Sequence, residues 1–269
     1  DLPESVVVFG PGVIGLELGQ ALKRLGVRMR LFGKGGFVGP LTDPEVKKSA
    51  ESCFQDEFYL DADADVKEIR RDGNDVTVRF VDHDGNELTE TFNYLLAATG
   101  RIPNVRDIGL ENTSLELDQR GMPLFDTNTM QCGTSHIFIA GDANNYLPLL
   151  HEASDEGKIA GANAALFPQI EPGLRRSPIA VVFSDPQIAM VGSTYRDLDP
   201  DSFAIGSVDL TKQGRSRVMH QNRGLLRVYG EAGTRRFLGA EMVGPRAEHI
   251  AHLLAWSHQQ QMTVDTMLD

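Results

Sequence analysis

The first hundred residues alternate between short apolar runs and stretches with helical periodicity. Ser5–Phe9 is an apolar, β-branched run that stops at a glycine, which predicts a buried parallel strand. Apolar positions at helical spacing over Val13–Leu25, with Gly26 as a C-terminal cap, predict a helix. A second strand is expected over Arg28–Phe32 and a second helix over Asp43–Glu57.

Shorter strands follow this opening. The second helix is expected to be capped by Thr42 or Asp43, with Pro44 in its first turn. Asp82–Glu87 predicts a hairpin turn. The strand candidates around it are Val66–Ile69, Val76–Val81, Thr89–Phe92 and Tyr94–Ala98. Together, these elements predict one complete dinucleotide-binding domain over residues 1–102.

Residues 103–174 do not contain the predicted strands that a complete sheet would need. Ile137–Ala140 is the one convincing candidate for a buried parallel strand, and a helix is expected over Leu149–Phe167. Small residues, which usually let a helix lie close to a sheet, form one stripe of that helix: Ala153, Gly157, Ala160, Gly161 and Ala164. A lone strand has unpaired edges, so we expect the rest of its sheet to come from elsewhere.

From Ser177 onward the pattern becomes antiparallel. Four strand-like runs precede a helix, and a second short helix opens at Thr263. Strands followed by helices at one end are typical of an α+β unit. The predicted fold class is therefore α/β: a Rossmann-like nucleotide-binding domain, a partial segment of another domain, and an α+β domain over residues 175–269.

Charge supports a boundary near Pro172–Pro178. Residues 1–174 hold 15 Lys and Arg against 28 Asp and Glu, whereas residues 175–269 hold 11 against 10. The net charge of −12 argues against nucleic acid as a partner, because phosphate binding needs a clustered basic surface. No apolar run is long enough to predict a membrane span.

Composition also limits the compartment and the chemistry. With 269 residues and 41% hydrophobic positions, the chain is long enough for two ordinary globular domains. Its two cysteines, Cys53 and Cys132, do not predict a disulfide framework or a zinc site, and a reducing cytoplasm is expected. The chain begins with Asp1 and has no signal peptide, so we expect a processed chain or part of a longer one.

Gly10, Gly12 and Gly15 form a G-x-G-x-x-G motif in the required context, after a strand and at the start of a helix. The first glycine permits a tight turn, the second lets the backbone approach a pyrophosphate, and the third lets the helix pack against the strand. The helix N-terminus offers free amide hydrogens to phosphates. The alternative is a glycine-rich turn without a ligand.

The second strand leaves the identity of the nucleotide open. NAD-binding loops usually place an Asp or Glu about 20 residues after the motif to hold the ribose hydroxyls. Here the strand ends Phe32-Gly33-Lys34, without that carboxylate. Lys34 could pair with a 2′-phosphate, which slightly favours NADP over NAD, or could be a solvated turn lysine.

Five motifs in family order resemble the class I pyridine nucleotide-disulfide oxidoreductases, most closely the dihydrolipoamide dehydrogenase-like members. They are LPESVVVFGPGVIGLELG near the start, LLAATGRIPN (Leu95–Asn104), HIFIAGDAN (His136–Asn144), PIAVVFSDPQIAMVG (Pro178–Gly192) and FLGAEMVGPRAEHI (Phe237–Ile250). The resemblance implies FAD and NAD or NADP as cofactors. It also implies three parts: an NAD(P)-binding domain (1–102), the C-terminal segment of a discontinuous FAD-binding domain (103–174) and a truncated dimerisation domain (175–269).

The resemblance also assigns roles to individual residues. Asp142 would accept hydrogen bonds from the flavin ribitol chain, and Gly141 would permit close approach. Ala143 and the Leu150–His151 stretch would line the flavin through backbone amides. The remaining cofactor-binding candidates are the glycine-loop residues Gly10, Gly12, Val13, Ile14 and Gly15, together with Glu17, Lys34 and Gly100.

Two of these candidates depart from the family or have a simpler explanation. Glu17 corresponds to a glutamate near the nicotinamide whose lysine partner would lie outside this sequence. The alternative is a capping role, because a carboxylate in the first turns of a helix interacts favourably with the helix dipole. Val13 stands where some relatives carry a gating tyrosine, which puts such gating in doubt.

The family's catalytic groups are not found in this sequence. Neither the Cys-x4-Cys redox pair nor the C-terminal His-Glu pair is present, so no residue is assigned as catalytic. By position, the family's His-Glu pair cannot be replaced by His136, His151, His249 or His252. His249 and His252 are interpreted as packing residues of the core or an interface, and no metal site is predicted.

The implied function is a portion of a flavin-dependent disulfide oxidoreductase. It would pass a hydride between a nicotinamide nucleotide and FAD, and electrons to or from a dithiol such as dihydrolipoamide. The piece alone is expected to be inactive and to dimerise through residues 175–269. Two alternatives are open: a same-fold NADPH-dependent flavoprotein with another acceptor (transhydrogenase, glutathione-type or mercuric reductase), and a non-catalytic dinucleotide-binding dimerisation module.

Overall fold

The computed structural model describes residues 2–269 and divides them into two compact units. The first unit contains residues 2–100 and 177–269, so the chain leaves it and later returns. The second unit is Arg101–Arg176. The first unit therefore holds both the N-terminal nucleotide-binding pattern and the C-terminal antiparallel pattern.

A four-stranded parallel sheet begins the first unit, in the order β3-β2-β1-β7. Its elements, with the helices between them, are β1 (Ser5–Phe9), α1 (Val13–Arg24), β2 (Arg28–Phe32), α2 (Pro44–Gln55), β3 (Tyr59–Asp61) and β7 (Tyr94–Ala97). As the sequence predicts, the apolar run of β1 is almost wholly buried at the centre. The predicted cap of α2 is Asp43, whose side chain accepts from the Glu45 and Val46 amides.

An antiparallel meander connects β3 to β7. It consists of β4 (Asp65–Asp72), β5 (Asp75–Val81) and β6 (Glu87–Phe92), and β5 pairs with both neighbours. The predicted hairpin is present: the Asp82 amide donates to the Asn86 carbonyl, and the Asp82 side chain accepts from the Asn86 amide. The four strands predicted between residues 66 and 98 are confirmed, whereas β3 was missed because it is only three residues long.

The second unit contains one long helix, α3 (Leu150–Leu166), and otherwise turns and single bridges. Within residues 2–269, Ile137–Ala140 is not assigned as a strand, and its predicted pairing with a sheet from elsewhere stays a prediction. Phe138 instead forms a single antiparallel bridge with Gln131, and the Cys132 amide donates to the Ile137 carbonyl. No parallel neighbour lies within residues 101–176, so this apolar segment pairs with the chain just before it.

The C-terminal part of the first unit is a five-stranded antiparallel sheet, in the order β10-β11-β12-β9-β8. Its elements are β8 (Ile179–Val182), β9 (Gln187–Gly192), β10 (Phe203–Asp209), α4 (Gly214–Val218), β11 (Leu225–Glu231), β12 (Phe237–Gly244), α5 (Ala247–Gln259) and α6 (Val264–Leu268). α5 packs on β8, β9 and β12, whereas α2 lies against β11 and β12.

One hydrophobic core joins the parallel sheet to the five-stranded antiparallel sheet of the first unit. Leu16 of α1, Val46 of α2 and Leu31 of β2 belong to the same buried cluster as Ile188 of β9 and Val243 of β12. Burying such side chains is the main source of folding free energy. The parallel sheet and its helices are thus fixed against the C-terminal sheet, which places the glycine turn on a rigid support.

Candidate functional site

The carboxyl ends of β1, β2 and β7 meet at one edge of the parallel sheet. The Gly10 amide donates to the Phe32 carbonyl at 2.8 Å, and the Ala98 amide donates to the Phe9 carbonyl at 2.7 Å. A cleft of about 910 Å³ opens at this edge. Ligands of open α/β sheets bind in this position, outside the carboxyl ends of the strands.

Four chain segments line the cleft. They are the glycine turn, the end of β2, the start of β4 and the loop after β7; the lining residues are 9–12, 32–34, 37, 64–69 and 98–100. Of the residues predicted from sequence, Gly10, Gly12, Lys34 and Gly100 are therefore brought together on one surface.

Glycine is required at two positions of the turn. Gly10 has φ +103°, and a Cβ there would lie 2.4 Å from the Ala98 carbonyl oxygen. A Cβ on Gly15 would lie 1.8 Å from the Gly10 carbonyl oxygen, so α1 could not approach the turn. Gly12 is different, since a Cβ there would meet no protein atom within 4 Å. The backbone at Gly12 thus has open space beside it.

The start of α1 suits an anion. Its N-cap is Gly12, which has no side chain to accept a hydrogen bond from the first turn, and no acidic residue lies in that turn. The first amide groups of a helix have no partner inside the helix, and the helix dipole places partial positive charge there. This end of the cleft therefore offers donors to a phosphate group.

Charged side chains also line the cleft, namely those of Lys34, Asp65, Lys67 and Glu68. Lys34 is exposed at the end of β2, and its ammonium makes no hydrogen bond or ion pair with any of residues 2–269. Lys67 differs, because its Nζ lies 2.5 Å from an Asp65 carboxylate oxygen. Lys34 is consequently the cation of the lining that is available to a ligand.

Glu17 lies outside the cleft lining. Its Oε1 accepts a hydrogen bond from the Phe183 amide at 2.9 Å, so the carboxylate contacts the segment that follows β8. Val13 and Ile14, also outside the lining, are partly exposed on the first turn of α1. The roles given to these three residues and to Gly15 by family resemblance stay predictions.

The other predicted site residues lie in the second unit, where Gly141, Asp142 and Ala143 are on a 3₁₀ turn over Gly141–Asn144. Gly141 has φ +69°, and the Asp142 side chain is 60% exposed. Arg101 Nη1 lies 4.0 Å from Asp142 Oδ2. Ala143 is half-buried beside it. The turn therefore presents an exposed carboxylate.

α3 begins shortly after this turn. Leu150 is 89% exposed, and the exposed His151 has Nε2 3.9 Å from Glu152 Oε1. Within the small-residue stripe, Gly157 and Gly161 are exposed, and a Cβ on either would meet no atom within 4 Å. The face on which the sequence predicts close packing with a sheet is uncovered in the described residues.

Sequence reasoning missed the polar cluster beneath the turn. Glu156 is fully buried and accepts hydrogen bonds from the Gly141 amide and the Asn144 side chain. Arg175 donates to Glu156 and to Glu152. The available signal was the pair of glutamates four residues apart on α3, which places both carboxylates on one helix face.

Cysteine and histidine chemistry adds little to the site. Burial raises the pKa of both the Cys53 and the Cys132 thiol, so neither is an activated nucleophile. His249 and His252 are exposed on α5, so neither packs in the core, and the alternative that they pack at an interface stays a prediction. Within residues 2–269, no group of three or more side chains is arranged to hold a metal ion.

None of the helices in the described part of the chain has the length and apolar character needed to cross a lipid bilayer.

Comparison with known proteins places these features in a family. The family model described as pyridine nucleotide-disulphide oxidoreductase matches residues 1–157, and the dimerisation-domain model of the same family matches residues 179–269. Both halves of the chain therefore match the same family, in the same order as the motifs.

Relatives with assigned functions are similar over nearly the whole chain. Mitochondrial dihydrolipoyl dehydrogenase of Caenorhabditis elegans is 31% identical over 252 residues, which cover 91% of this chain and 50% of the relative. Mercuric reductase of Shigella flexneri is 28% identical over 283 residues, covering 100% of this chain and 47% of the relative. The chain spans about half the length of the curated relatives it matches.

Solved structures agree in fold. LpdA of Mycobacterium tuberculosis superposes with a TM-score of 0.80 at 27% identity, covering 98% of this chain and 57% of that one. The HOCl-induced flavoprotein disulfide reductase RclA of Escherichia coli gives a TM-score of 0.80 at 20% identity, covering 98% and 60%. The predicted fold class is confirmed by these matches.

Proposed function

We propose a function for this chain from one premise: it belongs to the pyridine nucleotide-disulphide oxidoreductase family. The chain forms the part of a flavin-dependent disulfide oxidoreductase that binds the nicotinamide nucleotide and completes one side of the flavin site. The whole protein passes a hydride between the nucleotide and FAD, and electrons to or from a dithiol or disulfide such as dihydrolipoamide. The dihydrolipoyl dehydrogenases among its relatives support this choice of acceptor.

The observation that carries the proposal is the cleft above the glycine turn. A dinucleotide fits its residues, because the Gly12 backbone has open space beside it and the start of α1 provides unpaired amide donors. Gly10 and Gly15 allow the close contact between turn and helix. Gly100 also lines the cleft. These residues bind and orient the pyrophosphate of the nucleotide.

The turn in the second unit provides the flavin contacts. Asp142 accepts hydrogen bonds from the ribitol hydroxyls, and Ala143, Leu150 and His151 offer backbone groups beside it. The exposed Asp142 carboxylate and the positive φ of Gly141 support this role. When bound, the nicotinamide and flavin groups supply the hydride and electron chemistry, and the protein supplies binding and orientation.

Lys34 selects the nucleotide. An ammonium at the end of β2, with no carboxylate at that position, suits the 2′-phosphate of NADPH better than the free ribose hydroxyl of NADH. The proposed preference is therefore for NADPH.

The three-part organisation predicted from sequence completes the proposal. Residues 1–102 bind the nucleotide, residues 103–174 belong to the FAD-binding domain, and residues 175–269 form a homodimer. The dimerisation-domain match supports the last part. Both cysteines are buried, so this chain by itself does not reduce a disulfide. Lipoamide-dependent reduction of a nicotinamide nucleotide by the 269-residue chain alone would contradict that statement.

A glycine-to-alanine substitution tests the nucleotide site. Gly12→Ala adds one methyl group where no protein atom lies within 4 Å, on a backbone with φ −76° that alanine tolerates. The fold should therefore be kept, while the methyl group occupies the space of the pyrophosphate. We expect affinity for NADPH and NADH, measured by calorimetry, to fall about tenfold or more, which corresponds to about 1.4 kcal/mol.

Gly206→Ala is the matched control. Gly206 lies on β10, outside the cleft, and a Cβ there also meets nothing within 4 Å. The affinity of the Gly206→Ala variant for NADPH and NADH should equal that of the wild type. Equal affinities for all three proteins, or no nucleotide binding by the wild type, would remove the basis of the proposal.

A further inference from the structure

A buried carboxylate fixes the turn that carries Asp142. The Oε2 atom of Glu156 accepts the Gly141 amide at 2.7 Å and the Asn144 Nδ2 at 2.7 Å. Its Oε1 atom accepts Arg175 Nη1 at 3.0 Å. These bonds hold both ends of the 3₁₀ turn, at its first and its last residue.

The surroundings of Glu156 explain why it stays in place. The residue is fully buried, and a buried ion is tolerated only when it is paired and hydrogen-bonded. Arg175 supplies the opposite charge and also bonds Glu152 Oε2 at 3.3 Å. The guanidinium carbon of Arg175 lies 5.4 Å from the centre of the Tyr146 ring, which limits its movement.

The turn itself contributes few bonds of its own. The Asn145 amide contacts the Asp142 carbonyl at 3.4 Å, a long distance for a hydrogen bond. Asn145 has φ +54°, a conformation that a non-glycine residue keeps only when the surroundings impose it, whereas Gly141 adopts its φ of +69° without strain. Glu156 accepts the Gly141 amide directly before the exposed Asp142.

We propose that Glu156 is a positioning residue that, together with Arg175, holds the Gly141–Asn144 turn so that Asp142 and its adjacent amides meet the polyhydroxyl chain of a flavin nucleotide. This inference rests on the proposed function for the identity of the ligand. The holding of the turn stands on the geometry alone.

Amide hydrogen exchange of the 269-residue chain, without any nucleotide, tests the holding of the turn. In Glu156→Gln the charge-assisted acceptor is lost, and exchange at the Gly141 amide should rise about tenfold or more. Residues 117–124 of the same unit form a hairpin with an antiparallel bridge between Leu117 and Pro123, and none of its bonds involves Glu156. Exchange there should not change, which separates local loosening from general destabilisation.

Glu152→Gln is the matched control. Glu152 lies one helical turn earlier, is buried, and binds the same arginine, yet no hydrogen bond joins it to the turn. Burial raises the pKa of Glu152, so the neutral amide is a mild replacement there. Exchange at Gly141 should stay within about twofold of the wild type. A similar rise in both variants, or in neither, overturns the positioning role.

A double-mutant cycle tests the route to the ligand. FAD affinity, followed by quenching of flavin fluorescence, is measured for Glu156→Gln, Asp142→Asn and the double variant. If Glu156 acts through Asp142, the double variant should lose little more affinity than Asp142→Asn alone. Additive losses overturn this route. Absence of FAD binding in the wild-type chain would count against the proposed flavin site, whereas the exchange comparison decides the holding of the turn in either case.

Discussion

Lys34 is the residue on which nucleotide preference depends. Its ammonium lines the cleft and has no carboxylate partner among residues 2–269, so the proposed 2′-phosphate would gain a charge-assisted hydrogen bond there. We expect Lys34→Met to weaken NADPH binding about tenfold and to leave NADH binding within about twofold. Titration of both reduced nucleotides by calorimetry measures this difference.

Lys67→Met provides the control for charge in the same cleft. Its ammonium is paired with Asp65, so its removal should lower the affinity for both nucleotides little and equally. If the wild type binds NADH more tightly than NADPH, and Lys34→Met has the same two affinities, Lys34 is a solvated turn lysine and does not bind the nucleotide.

His258 gives the protein a pH dependence in the acidic range. Burial lowers the pKa of this imidazole below its ordinary value of 6.5. Its Nδ1 lies 2.8 Å from the Ser177 hydroxyl, and its ring packs edge-on against Phe237. The folded state thus binds the proton less readily than the unfolded state. The stabilising contribution is complete above about pH 6.5 and declines as the pH falls toward the lowered pKa.

Thermal unfolding between pH 5 and 8 measures this contribution. His258→Gln keeps a donor and an acceptor but does not titrate, so its melting temperature should decline less than that of the wild type as the pH falls. His252→Gln, an exposed histidine on the same helix, should behave like the wild type. Parallel melting curves for all three proteins would show that His258 is not responsible.

At the scale of elements, a buried polar contact joins α2 to the C-terminal sheet. Glu241 of β12 is fully buried and accepts from the Thr42 amide at 2.7 Å, the Asp43 amide at 2.9 Å and the Tyr195 amide at 2.9 Å. Asp43 in turn accepts Arg227 Nη1 at 2.8 Å and the Tyr229 hydroxyl at 3.0 Å. The N-terminus of α2 is therefore fixed by charge-assisted bonds.

Replacing that carboxylate should destabilise the first unit. Glu241→Gln converts an acceptor of several amides into a group with one acceptor oxygen, and we expect the free energy of unfolding to fall by about 2–3 kcal/mol. Urea unfolding measures the change. Glu248→Gln, at the partly exposed start of α5, should alter stability by less than about 0.5 kcal/mol. If Glu241→Gln lowered the free energy of unfolding no more than Glu248→Gln does, the contact between Glu241 and the start of α2 would contribute nothing to stability.

The elements with local signals were those that the sequence could predict. An apolar run marks β1, and a glycine turn before α1 and a glycine after it mark the helix. The hydrophobic periodicity and the flanking glycines therefore indicate the same element boundaries. The Ile137–Ala140 segment carries the same apolar signal, yet its structure depends on whether a parallel partner is within reach. A local pattern does not contain that information.

The candidate site shows the same division between local and long-range information. Gly10, Gly12 and Lys34 lie in one continuous motif region and were found together. The β4 wall of the cleft and the Glu156–Arg175 pair depend on contacts between residues far apart in the chain. Glu17 was identified by its position in the motif. Its hydrogen bond with the Phe183 amide could not be predicted, because it depends on how the parallel sheet packs against the C-terminal sheet.

At the scale of the whole molecule, α5 presents an apolar face on the domain that matches the dimerisation family. Leu253 and Trp256 are 61% and 72% exposed and lie three residues apart, so they share one side of the helix. Tryptophan is enriched at protein interfaces, and large exposed apolar side chains mark interaction sites. These observations support a homodimer that covers this face.

Trp256 is the only tryptophan of the chain, so its fluorescence reports on that face directly. If a dimer covers it, the emission maximum should shift to shorter wavelength as protein concentration rises, and light scattering should give twice the monomer mass. Leu253→Glu should place an unpaired charge in the interface and reduce the mass to that of a monomer. Leu25→Glu, at a 62% exposed leucine after α1, should leave the dimer intact because it lies outside residues 175–269. A monomeric wild type, or a dimer that Leu253→Glu leaves unchanged, would place the contact between subunits elsewhere.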